Sequence, residues 1–409
     1  MSTTTPTAAP DGAKYGRPLW KLALLLAFPS FGFVQKYAGL AGVAAYVALV
    51  IGLVHVTAVF WKRAAPWLRC HFQKLAALFI LALAAGFVVL HPIEDGRGPG
   101  KSSDRDEGLE MAVTRIARGE TPYYPSNQIA GPLSVLPGSM FLAAPFVALG
   151  NSGYQNVFWL AVFLIAACTY FKDKAAALYL LSVPLGLSLA AQYEFVSGGD
   201  LIANGIFVSV FFLLALGSWS QAATPAGQRW LACLLLGAGL ASRANFILLL
   251  PLFGAAMCRI AGWRIAVATT TLVGLTAAAI TLPFYIHDPA GFTPLLTRQK
   301  LAGADHMLPM ASQAMIGMTV FAAMLGAWIL WRRKSVNAIP EFFRCCTWVT
   351  LTPIVAVVLF SSWISGFPNF SFLRDRFGLM YVFFAIFGWG GVLFGQGKMH
   401  ELAKKRTDA

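Results

Sequence analysis

Of the 17 acidic residues in the chain, Glu94, Asp95, Asp104, Asp106, Glu107, Glu110 and Glu120 fall within one stretch, residues 92–152. A carboxylate held in a partly desolvated place can act as a general base or bind a divalent cation. Asp104-x-Asp106 offers paired oxygen ligands for such a cation, and Glu107 stands beside it. The same acids also suit the first turn of a helix, where they meet the positive end of its dipole. Ser103-Asp104-Arg105-Asp106 matches a capping box, and Leu109, Ala112, Val113 and Ile116 recur at helical spacing on one face. Gly119 and Pro122 supply the stop signals. The spacing therefore predicts a short amphipathic helix lying at a membrane surface.

The other charged features carry different chemistry. Gly96-Arg97-Gly98-Pro99-Gly100-Lys101-Ser102 imitates a phosphate loop, but Asp95 stands where that motif needs its first glycine. The six histidines show no H-x-x-x-H or Cys/His ligand spacing, so zinc chemistry has no support and no metal ligand set is assigned. Arg298, Lys300 and His306 share a second long connection, residues 284–311. Arg243, in Ser242-Arg243-Ala244-Asn245, interrupts two apolar segments, and Arg374 and Arg376 open the last one. A cation near lipid depth is costly and usually paired or functional, and arginine's fork suits phosphate. The alternative is snorkelling to the interface, with Asp375 neutralising a neighbouring arginine.

Most of the chain must be read against lipid. Hydrophobic residues make up 58% and charged residues 12% of the 409, with mean hydropathy +0.67. Apolar segments fall at about 19–34, 37–60, 75–91, 153–171, 176–191, 200–217, 230–241, 246–258, 265–283, 312–331, 345–363 and 377–396. Basic residues mark every second gap: Lys62, Arg63, Arg69 and Lys74; Lys172 and Lys174; Arg229; Arg259 and Arg264; Arg332, Arg333 and Lys334; and the C-terminal tail. The positive-inside rule makes those gaps and both termini cytoplasmic. The net charge of +14 is then an orientation signal, helped by anionic lipid, and implies no nucleic-acid partner. The first eighteen residues lack a signal-peptide pattern, so insertion is expected to rest on the spans. The cysteines fall in spans or cytoplasmic gaps, where disulfides are not expected.

The expected architecture is all-α, a polytopic transmembrane bundle of about 12 spans. It divides into N-terminal spans over 1–91, an outer catalytic loop over 92–152, a transmembrane core over 153–396 and a cytoplasmic tail over 397–409. Residues 133–149, broken by Pro137 and Pro145, are read as re-entrant or interfacial, because a full crossing would put Lys172 and Lys174 outside.

Asp106-Glu107-Gly108, Ala112, Arg118-Gly119-Glu120-Thr121-Pro122-Tyr123-Tyr124, Gly131-Pro132-Leu133 and Ala144-Pro145-Phe146 together resemble the first outer loop of GT-C-fold membrane glycosyltransferases. The nearest likeness is to bacterial polyprenyl-phosphate-sugar-dependent enzymes of the mannosyltransferase type. Looser echoes continue at Ala241-Ser242-Arg243-Ala244-Asn245-Phe246, at Leu282-Pro283-Phe284 and at Arg374-x-Arg376. The chain departs from that family in placing three apolar segments before the loop, where one is usual.

The resemblance implies an inverting transfer on the outer face of a bacterial inner membrane. The donor is a polyprenyl-phosphate sugar, and the acceptor a glycan or glycolipid of the cell envelope. Asp106 is the expected base, with Asp104 and Glu107 next. Tyr123, Arg243, Asn245, Arg298, Lys300, His306, Arg374 and Arg376 are the expected substrate-binding residues. No organic cofactor is implied, and a divalent cation is left open. The rivals are a transporter or flippase of lipid-linked glycans, which needs similar cations and no base, and a glycan ligase or polymerase of different topology. A transporter should carry broken helices in matching halves, and no repeat is visible.

Overall fold

A helix that is apolar on every side can be satisfied only in the middle of a bundle or in lipid. Residues 201–220 are such a segment. A computed structural model describes residues 16–97, 103–123, 132–296, 310–333 and 338–393, and every regular element among them is helical. In chain order the helices are α1 (Gly16–Ala27), α2 (Phe31–Cys70), α3 (Phe72–Asp95), α4 (Arg105–Ala117), α5 (Pro137–Ala148), α6 (Tyr154–Phe171), α7 (Lys174–Leu187), α8 (Leu189–Val196), α9 (Leu201–Ser220) and α10 (Ala226–Leu240). There follow α11 (Ala244–Ile247), α12 (Leu250–Ala261), α13 (Trp263–His287), α14 (Ala311–Arg332), α15 (Ala338–Ser365) and α16 (Leu379–Leu393).

Helix α9 is the axis. Fourteen of its 20 residues are buried, and α6, α10, α12 and α16 pack around it. Helices α2, α3, α13 and α14 instead turn large apolar side chains outward, such as Leu78, Leu81, Leu275 and Phe321, as lipid-facing helices do.

This is a membrane protein: among the described residues eight helices are long and apolar enough to cross a bilayer, nine if the bent pair α7–α8 counts as one span. The dozen apolar segments of the sequence give fewer long helices for definite reasons. The first two join into one run, Trp20–Cys70, interrupted at Gly39 by a positive φ of 66°. Helices α10 and α16 have 15 residues each, roughly 22 Å at 1.5 Å per residue, which is short for a hydrocarbon core of about 30 Å. Helix α5, with 12 residues, is shorter still, roughly 18 Å.

The two ends of the bundle differ in charge. Arg69 pairs with Asp173 where α2 and α3 meet α6 and α7, and Arg259 and Arg333 share Glu341. Arg229, in the first turn of α10, donates to the Gln221 and Ala222 carbonyls just beyond α9. The opposite end receives the last turn of α3, the first turns of α6 and α9, and the whole of α4 and α5. The acids gather there.

Helix α4 forms largely as its pattern requires. Leu109 and Ala112 are buried with Tyr123, Leu136, Met140 and Phe292, and Val113 and Ile116 pack against them. Gly119 (φ 72°) turns the chain out of the helix. The start differs from the capping box. The helix begins one residue later, with Asp104 as a cap residue that makes no side-chain capping bond. Ser103 Oγ is instead taken by Arg376, whose Nη2 lies 2.9 Å away. A buried guanidinium without acceptors is far more costly than an uncapped helix start.

Candidate active site

At the head of α4, Ser103, Arg105 and Asp106 each engage a different buried group. They meet the turn between α8 and α9, which the chain makes possible by bending 88° between α7 and α8. Pro184 and Ser188 set that bend: Ser188 ends α7 with its N–H on the Pro184 carbonyl and caps α8 by accepting from the Ala191 N–H. The bend swings Glu194, Ser197, Gly198 and Asp200 inward.

Asp106 is 4% exposed. Its Oδ2 lies 3.5 Å from His91 Nε2, and its Oδ1 is buried with no hydrogen-bond partner. Burial pushes this carboxyl up to about 7; the amides of Asp106 and Glu107 oppose the rise, and the negative charges of Glu107 and Glu110 add to it. His91, at the end of α3, stacks on Phe87. Its Nδ1 lies 3.1 Å from the Val196 carbonyl and its Nε2 lies 2.9 Å from Asn151 Nδ2. Gly198, at φ 69°, passes so close that a Cβ there would stand 3.0 Å from Asp106 Oδ2 and 3.2 Å from His91 Cε1.

Two ion-pair clusters flank this pair. Asp200 accepts from Arg243 Nη2 through both oxygens, at 2.6 Å to Oδ1, and from Asn204 Nδ2 at 2.6 Å. Arg243 Nη1 also donates to Ser134 Oγ. The backbone locks the same junction, with Leu136 N–H on the Ser242 carbonyl and Gly138 N–H on the Ala241 carbonyl, each at 2.9 Å. Arg105 Nη1 stands 3.8 Å from Asp200 Oδ1, while its Nη2 donates to the Asp375 carbonyl at 2.8 Å. In the other cluster Arg376 Nε lies 2.9 Å from Glu194 Oε2, an ion pair whose N–H is not aligned on the oxygen, since neither atom has a hydrogen-bond partner. Arg376 also donates to Ser197 and Ser103 and lies over the Tyr193 ring. It sits at φ 62°, a strained backbone for a non-glycine residue that these contacts hold in place.

No protein-family model, curated protein or solved structure matches the chain. The likeness to GT-C enzymes is therefore an expectation carried by the sequence motifs alone.

The expected site residues divide. Asp106, Arg243 and Arg376 come together at one end of α9. Asp104 is half-buried at the start of α4. Glu107 is exposed, its carboxyl raised by partial desolvation and then by Asp95 and Asp104. Tyr123 is a packing residue: its hydroxyl donates to the Val135 carbonyl at 3.2 Å, its ring meets Phe292 edge to face, and burial raises its phenol. Asn245 donates to Met380 Sδ. Arg374 is exposed and reaches the Gly32 carbonyl at 3.4 Å, apart from the Asp106 cluster. Arg298, Lys300 and His306 lie outside the described residues. Among the described residues no three His, Cys, Asp or Glu side chains form a group that could hold a metal ion, and Asp106 of the Asp104-x-Asp106 pair is turned to His91.

Sequence reasoning passed over Glu194, Asp200, His91, Arg105 and Asn151. The signal for Glu194 and Asp200 is their place between two apolar segments, where an acid must be paired. Nothing local marks His91, because its partners come from three distant stretches.

Chemically, Asp106 is a carboxylate poised to take a proton near neutral pH. Arg243 and Arg376 are each matched by a buried acid, so their charge organises the site. Arg105 is less tightly held and stands one residue from Asp106, which suits it to meet an incoming anion.

Proposed function

We propose that the chain is an integral membrane glycosyltransferase that moves a sugar from a polyprenyl-phosphate donor to an envelope glycan or glycolipid. The observation that carries this reading is Asp106, a buried carboxylate with one unpartnered oxygen and an affinity for protons raised to about 7. Asp106 removes the proton of the acceptor hydroxyl as the oxygen attacks the anomeric carbon. The bond from that carbon to the phosphate oxygen breaks, its electron pair leaving with the polyprenyl phosphate. Arg105 meets the extra negative charge on the departing phosphate, the electrostatic help such a transfer needs.

On this reading the chain crosses the membrane several times, with both termini in the cytoplasm. The site opens on the outer face of a bacterial inner membrane, away from the basic ends. Donor and acceptor then arrive from the bilayer and no cytosolic nucleotide is used. The test is to reconstitute the protein in liposomes with radiolabelled polyprenyl-phosphate sugars and candidate lipid acceptors. Transfer that depends on Asp106 is the expected result. Movement of lipid-linked glycan across the bilayer with no sugar ever transferred would establish a flippase in its place.

A further inference from the structure

The hydrogen bonds around His91 fix which of its nitrogens carries hydrogen. A backbone carbonyl can only accept, so Nδ1, at 3.1 Å from the Val196 carbonyl, is the protonated nitrogen. Asn151 Oδ1 accepts the Gly153 N–H at 2.7 Å, which turns its Nδ2 group toward His91 and makes that amide the donor to Nε2. The lone pair on Nε2 therefore accepts from Asn151, and Asp106 Oδ2 stands 3.5 Å from the same nitrogen.

We propose that His91 is the proton-sharing partner of Asp106: the proton that Asp106 Oδ2 takes up passes to His91 Nε2, restoring the carboxylate. This rests on the transferase reading for the source of the proton, and no other reactant is needed. The proton leaves the acceptor hydroxyl, resides on Oδ2, and moves to Nε2 as Asn151 withdraws its N–H. The product is an imidazolium held by Nδ1–H on the Val196 carbonyl and by the Asp106 carboxylate. His91 acts through Asp106 and is a positioning residue.

The surroundings favour a proton kept between these two groups. Glu94 on α3 is tied to Arg97, Glu194 on α8 to Arg376, and Asp200 at the start of α9 to Arg243 and Arg105. From α4, Glu107 and Glu110 add negative charge, and Glu110 Oε1 is engaged by the Ser152 N–H at 2.7 Å. Phe87 covers one face of the imidazole.

The test is a pH titration of the purified full-length protein followed by infrared difference spectroscopy. The carboxylic C=O band of Asp106 is assigned by its loss in Asp106→Asn. While His91 competes for the proton, Asp106 stays ionised to lower pH. In His91→Gln the midpoint of the band should therefore move up by about one pH unit. Asn151→Ala removes the N–H that opposes protonation of Nε2, so there the midpoint should move down. Opposite displacements cannot come from damaged packing. Coincident midpoints in wild type and both variants would overturn the proposal. The rising limb of any transfer rate should move with the infrared midpoint in His91→Gln. If no sugar is transferred but the midpoints separate, the function falls and the proton sharing stands. Transfer that requires Asp106 with coincident midpoints gives the reverse.

Discussion

Gly198→Ala tests the site's geometry with a single methyl group. Gly198 occupies φ 69°, and a Cβ there would stand 3.0 Å from Asp106 Oδ2 and 3.3 Å from Asp106 Cβ. The left-handed backbone alone costs an alanine about 1–2 kcal/mol. The methyl must also push the carboxyl and the imidazole apart by a few tenths of an ångström, because both groups are buried and packed. Misplacing a reacting group by about 1 Å costs roughly 100-fold in rate, so a smaller displacement should cost on the order of 10-fold. Thermal melting of the reconstituted protein and sugar-transfer rates on the same preparation measure the two effects. The expected result is a variant that folds, melts a few degrees lower, and transfers about 10-fold more slowly at saturating substrate. Wild-type turnover with an unchanged melting temperature would refute the close packing of this turn against Asp106.

Four further outcomes follow from the same structure. Asp106 binds its proton more tightly in the folded state, about 7 against an ordinary 3.8, so the stability it contributes is complete below the ordinary value and is lost as pH rises through about 7. Asp106→Asn should therefore melt higher than wild type at alkaline pH and show no such difference in acid, by melting curves at both ends. Glu194→Gln, which strands the Arg376 guanidinium, should cost about 3–5 kcal/mol of stability, read as a loss of melting temperature. Tyr123→Phe loses one hydrogen bond to Val135; about 1 kcal/mol of stability should go with it while transfer rates stay at the wild-type level. Arg105→Gln should raise KM for the phosphate-bearing donor or lower kcat by at least about 10-fold, whereas Arg374→Gln should leave both unchanged in steady-state assays.

Much of the scaffold was legible because lipid imposes simple rules. The apolar run of α9 and the helical spacing of Leu109 and Ala112 each mapped onto the element expected. The crowding of acids pointed only to the stretch 92–152, and it was the resemblance that singled out Asp106 within it. What the chain concealed was the pairing. The capping pattern at Ser103 was overridden by Arg376, which lies 273 positions away. Arg243 and Arg376 were expected to be either paired or functional, and their partners, Asp200 and Glu194, arrive through the α7–α8 bend, which the sequence does not announce. Tyr123 carried a motif and proved to be a packing residue. In each case the deciding energy is the cost of an unpaired buried charge or polar group, which is settled by tertiary contact and leaves little trace in local spacing.

The central claim is that Asp106 accepts the proton of the attacking hydroxyl, and the pH dependence of transfer tests it most directly. The measurement is kcat/KM for sugar transfer from roughly pH 5 to pH 9, with wild type and Asp106→Asn reconstituted side by side. Wild type should rise through about 7 as the carboxyl ionises and then level off. Asp106→Asn should be flat and about 100-fold to 10,000-fold slower. An Asp106→Asn enzyme that transfers sugar at the wild-type rate, with the wild-type pH profile, would contradict the account.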